Sequence, residues 1–250
     1  EITAHLVLDD DTICPGEPIT VTGYATGGNG QYEYSLNDTT LVYIPLVQFP
    51  ASDMGFTVTA ADNCGSPTDV EMFAVTVLDS PPVSFVPDIT EGCAPVTVSF
   101  NEMSPDYGQT YAWNFGDPNS GNFSEIKNPY HTYQTPGIFD VTLTVTNPGG
   151  CITTQTVPEL IHVYPFPEAQ FTNNPLVVNI VNPNVNFINL TENATIYHWY
   201  FGDGDSSAVA SPEHTYPNMP NQYTVMLVAS NDYGCTDTIT GQMYIKGDYT

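Results

Sequence analysis

The sequence predicts an all-β protein built from three β-sandwiches arranged end to end. Its periodic stretches alternate with period two: Phe139, Val141, Leu143 and Val145 share one face of a strand, and Asp140, Thr142, Thr144 and Thr146 share the other. Its 22 prolines and 19 glycines punctuate short strands with turn signals, a composition that argues against helices. Finally, one long frame occurs twice. Tyr111-Ala112-Trp113-Asn114-Phe115-Gly116-Asp117 matches Tyr197-His198-Trp199-Tyr200-Phe201-Gly202-Asp203, and His131-Thr132-Tyr133 matches His214-Thr215-Tyr216. The alternating strands Val141–Asn147 and Val225–Asn231 then precede Gly150-Cys151 and Gly234-Cys235. Trp to Trp is 86 residues, His to His 83 and Cys to Cys 84. Repeats that regular mark an array of one module, and arrays usually space or present something.

The first module spans 1–79 and fits the frame with weaker residues. Tyr32-Glu33-Tyr34 stands for the Tyr-x-Trp element, and Phe56–Asn63 for the strand that ends in cysteine, here Cys64. Cys14 to Cys93 and Tyr34 to Trp113 are both 79 residues, which aligns Tyr34 with Trp113. The second module spans 80–164 and the third 165–250. Their joints are Asp79-Ser80-Pro81-Pro82 and Tyr164-Pro165-Phe166-Pro167, where paired prolines stiffen a short linker. Modules of about eighty residues are large enough to bury one core each. Trp113 and Trp199 are expected in those cores, where truncation to alanine costs about 3–5 kcal/mol.

Two basic residues, Lys127 and Lys246, face 28 acidic ones, for a formal net charge of −26. A phosphate backbone needs clustered Lys and Arg to displace its counterions, so no nucleic acid is expected as a partner. Adsorption to an anionic membrane fails for the same reason, and no apolar run approaches the roughly 18 residues of a membrane span. Strong acidity keeps a chain soluble and self-repelling outside the cell. Glu1-Ile2-Thr3 reads as the middle of a strand, as in a processed or excised product.

Trp-x-Phe-Gly-Asp-Gly, then His-Thr-Tyr, Pro-Gly and a Val-x-Leu-x-Val strand closing on Asn and Gly resembles the polycystic-kidney-disease (PKD) domain, an immunoglobulin-like sandwich. The third module carries Trp199, Phe201-Gly202-Asp203-Gly204 and His214-Thr215-Tyr216, with Asn221-Gln222 where Pro-Gly is expected. The second carries Trp113, Phe115-Gly116-Asp117, His131-Thr132-Tyr133 and Pro136-Gly137, with Pro118 in place of the second glycine. The first lacks both motifs and is a related immunoglobulin-like repeat. The arrangement is similar to tandem repeats in large adhesins of gliding, type-IX-secreting bacteria. That resemblance implies a non-catalytic structural stalk at the bacterial cell surface. Its partners would be neighbouring repeats of the same polypeptide, with surface or secretion-system proteins and polysaccharide as further candidates. Met243–Thr250 resembles the lead-in to a sorting domain. The rival is an accessory carbohydrate- or protein-binding module of a secreted hydrolase, with Tyr24, Tyr32, Tyr107 and Tyr244 as an exposed aromatic strip.

No nucleophile elbow, phosphate loop or zinc spacing is visible, so no catalytic residue and no cofactor are expected. Calcium is the one metal to weigh. Asp9, Asp10 and Asp11 set three carboxylates in a loop, although a charge run is more often simply solvated. Gly202-Asp203-Gly204-Asp205 has the alternation of half a calcium loop, but Asp-Gly also favours a two-residue hairpin turn, the preferred reading. His131 and His214 are read as structural hydrogen-bond donors rather than bases or ligands, and Tyr133 and Tyr216 as corner tyrosines. The sequons Asn189-Leu190-Thr191 and Asn193-Ala194-Thr195 are weak glycosylation signals. Asp11-Thr12-Ile13, Asp38-Thr39-Thr40 and Asp237-Thr238-Ile239 resemble O-glycan acceptor triplets of the same bacterial group.

Five cysteines at matched places in an exported sandwich suggest disulfides. Pairing within modules joins Cys14 to Cys64 and Cys93 to Cys151. In an immunoglobulin-like sandwich, however, the early cysteine precedes strand B at one end and the late one sits in the F–G turn at the other. Strands of six or seven residues hold those ends roughly 20 Å apart, against a limit of about 7 Å between the Cα atoms of a disulfide. Pairing across modules, Cys14 with Cys151 and Cys93 with Cys235, avoids the conflict. It leaves Cys64 for a module further upstream, and Ile180–Asn182 where an early cysteine would stand in the third module.

Overall fold

A computed structural model describes residues 1–106 and 108–247. Tyr107 and the end of the Met243–Thr250 segment, Asp248-Tyr249-Thr250, lie outside the described residues. Every regular element described is a strand, and the same eight recur in each third of the chain. The first module holds β1 (Ile2–Leu8), β2 (Thr12–Ile13), β3 (Ile19–Gly27), β4 (Tyr32–Leu36), β5 (Thr40–Val42), β6 (Leu46–Gln48), β7 (Met54–Asp62) and β8 (Asp69–Val77). The second holds β9 (Phe85–Pro87), β10 (Glu91–Cys93), β11 (Val96–Glu102), β12 (Thr110–Asn114), β13 (Phe123–Ser124), β14 (Tyr130–Tyr133), β15 (Gly137–Thr146) and β16 (Ile152–Tyr164). The third holds β17 (Phe171–Asn174), β18 (Val178–Asn179), β19 (Asn184–Asn189), β20 (Ile196–Tyr200), β21 (Ser206–Ser207), β22 (Glu213–Thr215), β23 (Asn221–Ser230) and β24 (Thr236–Lys246). No helix among the described residues is long and apolar enough to cross a membrane.

Each module is a three-stranded sheet on a five-stranded one. The orders are β1-β3-β6 with β2-β8-β7-β4-β5, then β14-β11-β9 with β10-β16-β15-β12-β13, then β17-β19-β22 with β18-β24-β23-β20-β21. Neighbours are antiparallel except the short β2, β10 and β18, which run parallel to β8, β16 and β24. The two inner faces meet in one apolar cluster per module. Period two decides what enters it. Along β15, Phe139, Val141, Leu143 and Val145 are buried, while Thr142 and Thr144 point outward and hydrogen-bond Thr156 and Thr154 across the ladder, each at 2.9 Å. Trp113 and Trp199 are among the largest fully buried side chains, packed on Phe100 and Phe187 from the opposite sheets.

Strand register corrects the alignment of the first module. Tyr34 lies opposite Ala60, as Tyr111 lies opposite Val145 and Tyr197 opposite Ala229. Leu36, opposite Val58, therefore takes the tryptophan place, because Trp113 and Trp199 face Leu143 and Leu227. Hydrogen bonding agrees: Ala4 N–H donates to Asp69 Oδ2 and Ala169 N–H to Asp237 Oδ2, both at 2.8 Å, where Asp69 faces Ala60 and Asp237 faces Ala229. The shared 79-residue spacing of Cys14–Cys93 and Tyr34–Trp113 was a coincidence of two offsets.

The last strand of the second module is longer than six or seven residues. β16 has 13, running from Ile152 beside the β15–β16 turn to Tyr164 beside Cys93. A bulge between Val157 and Ile161 takes up two of its residues, so the span paired with Gly137–Thr146 of β15 separates the two ends of the module by roughly 30 Å at about 3.3 Å per residue. Each module thus has two poles: one with the turn before its last strand, and one where that strand leaves beside the early cysteine.

Candidate functional site

The recurring motif ties the two sheets of a module together. After β12 the chain must turn sharply under β15. Gly116 adopts a φ of +72°, and a Cβ there would stand 2.4 Å from the Asp140 carbonyl oxygen. Gly202 is placed likewise, with φ +87° and the Thr224 carbonyl oxygen at 2.6 Å. Only glycine fits such a position. The turn delivers Asp117 and Asp203 to the histidines of the opposite sheet. His131 Nε2 donates to Asp117 Oδ2 at 3.2 Å, and His214 Nε2 to Asp203 Oδ2 at 2.7 Å. The imidazoles stack on the preceding phenylalanines, Phe115 with His131 at 4.5 Å and Phe201 with His214 at 4.0 Å between ring centroids. Tyr133 then donates its hydroxyl to the Phe115 carbonyl at 3.1 Å, and Tyr216 to that of Phe201 at 3.2 Å. Burial pushes both phenols well above their usual range, so they stay protonated and donate. Burial also acts to raise the Asp117 carboxyl. Hydrogen bonds from Ser120 Oγ, His131 and the Asn119 N–H outweigh it and hold that carboxyl below its usual range. This buried aspartate–histidine pair is enclosed by aromatic rings and serves as a structural tie.

The hairpin that carries Asp203 is not the two-residue turn expected of Asp-Gly. Tyr200 pairs with Ser206, and Phe201 N–H reaches the Asp205 carbonyl at 3.1 Å, so five residues close the loop. Asp203, Asp205 and His214 bring one potential ligand atom each within 4.8 Å of one another. Asp117, the counterpart of Asp203, is satisfied by Ser120, Asn119 and His131. Asp9, Asp10 and Asp11 use their carboxylates on their own loop. Asp9 Oδ1 accepts the N–H of Thr20 at 2.6 Å, Asp10 Oδ1 that of Thr12 at 3.0 Å, and Asp11 Oδ1 the Thr12 hydroxyl at 3.0 Å. The Thr20 N–H bond is the main reason the Asp9 carboxyl lies below its usual range. Tyr24 on β3, Tyr32 on β4 and Tyr244 on β24 occupy different sheets or modules and form no single strip. Tyr107 lies outside the described residues.

The joints between modules carry the most specific construction. Cys14 is bonded to Cys151 with 5.4 Å between Cα atoms, and Cys93 to Cys235 with 5.8 Å. In both, a cysteine at the exit pole of one module meets a buried cysteine in the turn before the last strand of the next. Asn147 and Asn231 begin those turns. Their side-chain oxygens accept the N–H of Cys151 at 2.9 Å and of Cys235 at 3.1 Å. Their side-chain amides reach back into the linkers, Asn147 to the Asp79 carbonyl and Asn231 to the Pro165 carbonyl, both at 2.8 Å. Each asparagine therefore caps its turn with one end and grips the incoming linker with the other. Leu78 packs against Gly149 at the first joint. At the second, Tyr164 stacks on Tyr233 at 3.8 Å, nearly parallel. Tyr164 also donates to Glu91 Oε2 at 3.0 Å, a bond that raises its hydroxyl pKa. Both asparagines were in plain sight at matching places of the repeat, but a strand-end Asn reads as an ordinary turn residue until its second partner is known.

The two outer poles are built differently, which corrects the alignment of Cys64 with Cys151 and Cys235. Asp62 occupies the capping position: its Oδ1 accepts the N–H groups of Cys64 and Ser66, both at 3.1 Å. Asn231 caps Tyr233 and Cys235 in the same way. Ser66 therefore stands where Cys151 and Cys235 stand, and Cys64 is two residues early, exposed at the tip. The Ser66 hydroxyl leads the hydrogen bonds that hold the Asp62 carboxyl below its usual range. A carboxylate has no proton with which to grip a linker. In the third module Asn179 faces Lys246 as Cys93 faces Tyr164, so its exit pole has no cysteine to offer.

The PKD domain family matches residues 79–160 and 162–246. No curated protein matches the chain. Among solved structures, the PKD1 domain of Vibrio anguillarum Epp is 28% identical, covering 33% of this chain and 96% of that one, with a TM-score of 0.29. The PKD1 domain of the Vibrio cholerae metalloprotease PrtV is 27% identical over 32% of this chain and 98% of its own, with a TM-score of 0.28. A three-immunoglobulin fragment of titin covers 99% of this chain and 100% of its own at 11% identity and a TM-score of 0.48.

Proposed function

The chain belongs to the PKD-domain family, and from that premise we propose that it is a load-bearing spacer in a large secreted or cell-surface adhesin. In this reading it holds a binding region away from its anchor and catalyses nothing. The observation that carries the reading is the twofold recurrence of one joint: a disulfide and an asparagine grip at each of two successive linkers. Fixing the angle and strength of successive linkers is what a strut requires. The aspartate–histidine pairs of the motif are spent on ties between sheets, with little of their side chains exposed. Two disulfides support an oxidising, extracellular location. The net charge of −26 supports solubility there without attraction to nucleic acid or anionic lipid. The finer assignment, a repeat region from gliding, type-IX-secreting bacteria, rests on the motif and cysteine pattern of the sequence.

A second reading, an accessory binding module of a secreted hydrolase, draws on apolar side chains left in the open. Phe123 and Tyr130 are exposed on the edge strands β13 and β14 of the second module. Pull-down on insoluble polysaccharides and on collagen separates the two. The spacer is expected in the unbound fraction with every matrix. Retention that Phe123→Ser or Tyr130→Ser abolishes would replace the first reading with the second.

A further inference from the structure

We infer that the two disulfides interlock so as to cap how far the array can be stretched, and that only their reduction lifts the cap. The inference rests on the spacer reading and concerns how that spacer answers tension. Cys14–Cys151 closes residues 14–151 into one loop, and Cys93–Cys235 closes 93–235 into another. The loops overlap through 93–151. Tension applied between the two termini enters along 1–14, crosses to Cys151, returns through 151–93 and crosses again to run out along 235–250.

Residues 15–92 and 152–234 lie off that covalent path. Most of the first module, β3 to β8, and most of the third, β17 to β23, are therefore shielded from the pull. Only β1 and β2 at one end and β24 at the other can be drawn out of them. The second module is the reserve, since the 93–151 segment contains β11 to β15 and hence the strand pairs around Trp113. The taut path holds about 90 residues, or roughly 300 Å at about 3.4 Å per residue. Without disulfides, 250 residues reach roughly 850 Å, close to threefold further. Independent staples within modules would not shield in this way, because each would shorten only its own module.

Single-molecule force spectroscopy on the whole chain, held at its two termini, tests this through the contour length at full extension. The oxidised chain is expected to stop near one third of the length reached in dithiothreitol. The reductant gives each disulfide two electrons and two protons, leaving two thiols and closing itself into a cyclic disulfide. A Cys93→Ser/Cys235→Ser chain, with only the first staple, should extend about 1.3-fold further than the doubly stapled one. Pairing within modules, Cys14 to Cys64 and Cys93 to Cys151, would instead stop the oxidised chain at about 1.6 times the expected length and would overturn the inference. Equal lengths with and without reductant would overturn it as well. Capture of a ligand in the pull-down above would remove the spacer reading yet leave these length ratios as they are, so the two failures can be told apart.

Discussion

Removing a single oxygen atom at Tyr133 should unlock the second module and leave the third as it was. Tyr133 is fully buried, and its hydroxyl donates at 3.1 Å to the carbonyl of Phe115, the residue that follows β12 of the other sheet. Phenylalanine keeps the ring contacts with His131 and Phe139 but supplies no proton. The loss is that hydrogen bond together with the desolvation of a carbonyl oxygen that water cannot reach, about 1–3 kcal/mol. With a urea dependence of about 1–3 kcal/mol/M for a domain of this size, the midpoint should fall by roughly 1 M. The chain provides its own reporters. It has two tryptophans, Trp113 in the second module and Trp199 in the third. In a Trp199→Phe background, fluorescence follows the second module alone, and in a Trp113→Phe background the third. Tyr133→Phe is expected to lower the midpoint in the first background and leave it in place in the second. Tyr216→Phe should do the reverse. An unchanged second-module midpoint, or equal shifts in both backgrounds, would refute the idea that the corner tyrosine ties the sheets of its own module.

Three further outcomes follow from the same geometry. The Asp117 carboxyl is depressed in the folded state, so its stabilising effect is complete above the unfolded pKa of about 3.9 and is lost as pH falls through the folded value. The second-module urea midpoint should therefore drop between pH 5 and pH 3, and Asp117→Asn should flatten that limb. Gly202→Ala places a Cβ against the Thr224 carbonyl oxygen at a φ of +87°, and the backbone preference alone costs about 1–2 kcal/mol. Its third-module midpoint should fall accordingly, whereas Gly204→Ala, with nothing within 4 Å of the added Cβ, should cost less. Asn231→Ala removes a turn cap and a linker grip together, each hydrogen bond worth about 1 kcal/mol. Amide exchange at Cys235 should then accelerate by roughly fivefold or more, while Asn231→Asp, which keeps only the cap, should slow it back toward the parent rate.

The fold was legible because the pattern that specifies a half-buried strand is local. Alternation along Phe139–Thr146, turn residues at each end and a repeated frame were enough to give sandwiches in series. The core places of Trp113 and Trp199 were read from their recurrence in that frame, and both are buried. Register in the first module was not legible, since Tyr34 and Leu36 both suit an inner face and only cross-strand pairing separates them. Nor was the five-residue loop at Asp203, because the demand for glycine at 202 comes from a carbonyl on β23, distant in sequence. The joints were half legible. Cysteine spacing pointed to the region, but the grip of Asn147 and Asn231 depends on linker carbonyls 68 and 66 residues away. The substitution of Ser66 for a bonded cysteine shows only when the capping bonds of Asp62 are compared with those of Asn231.

Mapping of the disulfide-linked peptides, after digestion of the unreduced chain with free thiols blocked, tests the joints most directly. The expected products are a peptide pair holding Cys14 with Cys151, a second holding Cys93 with Cys235, and Cys64 carrying the blocking group. A Cys14–Cys64 peptide, or Cys235 recovered as a blocked thiol, would contradict a strut whose modules are fastened to one another.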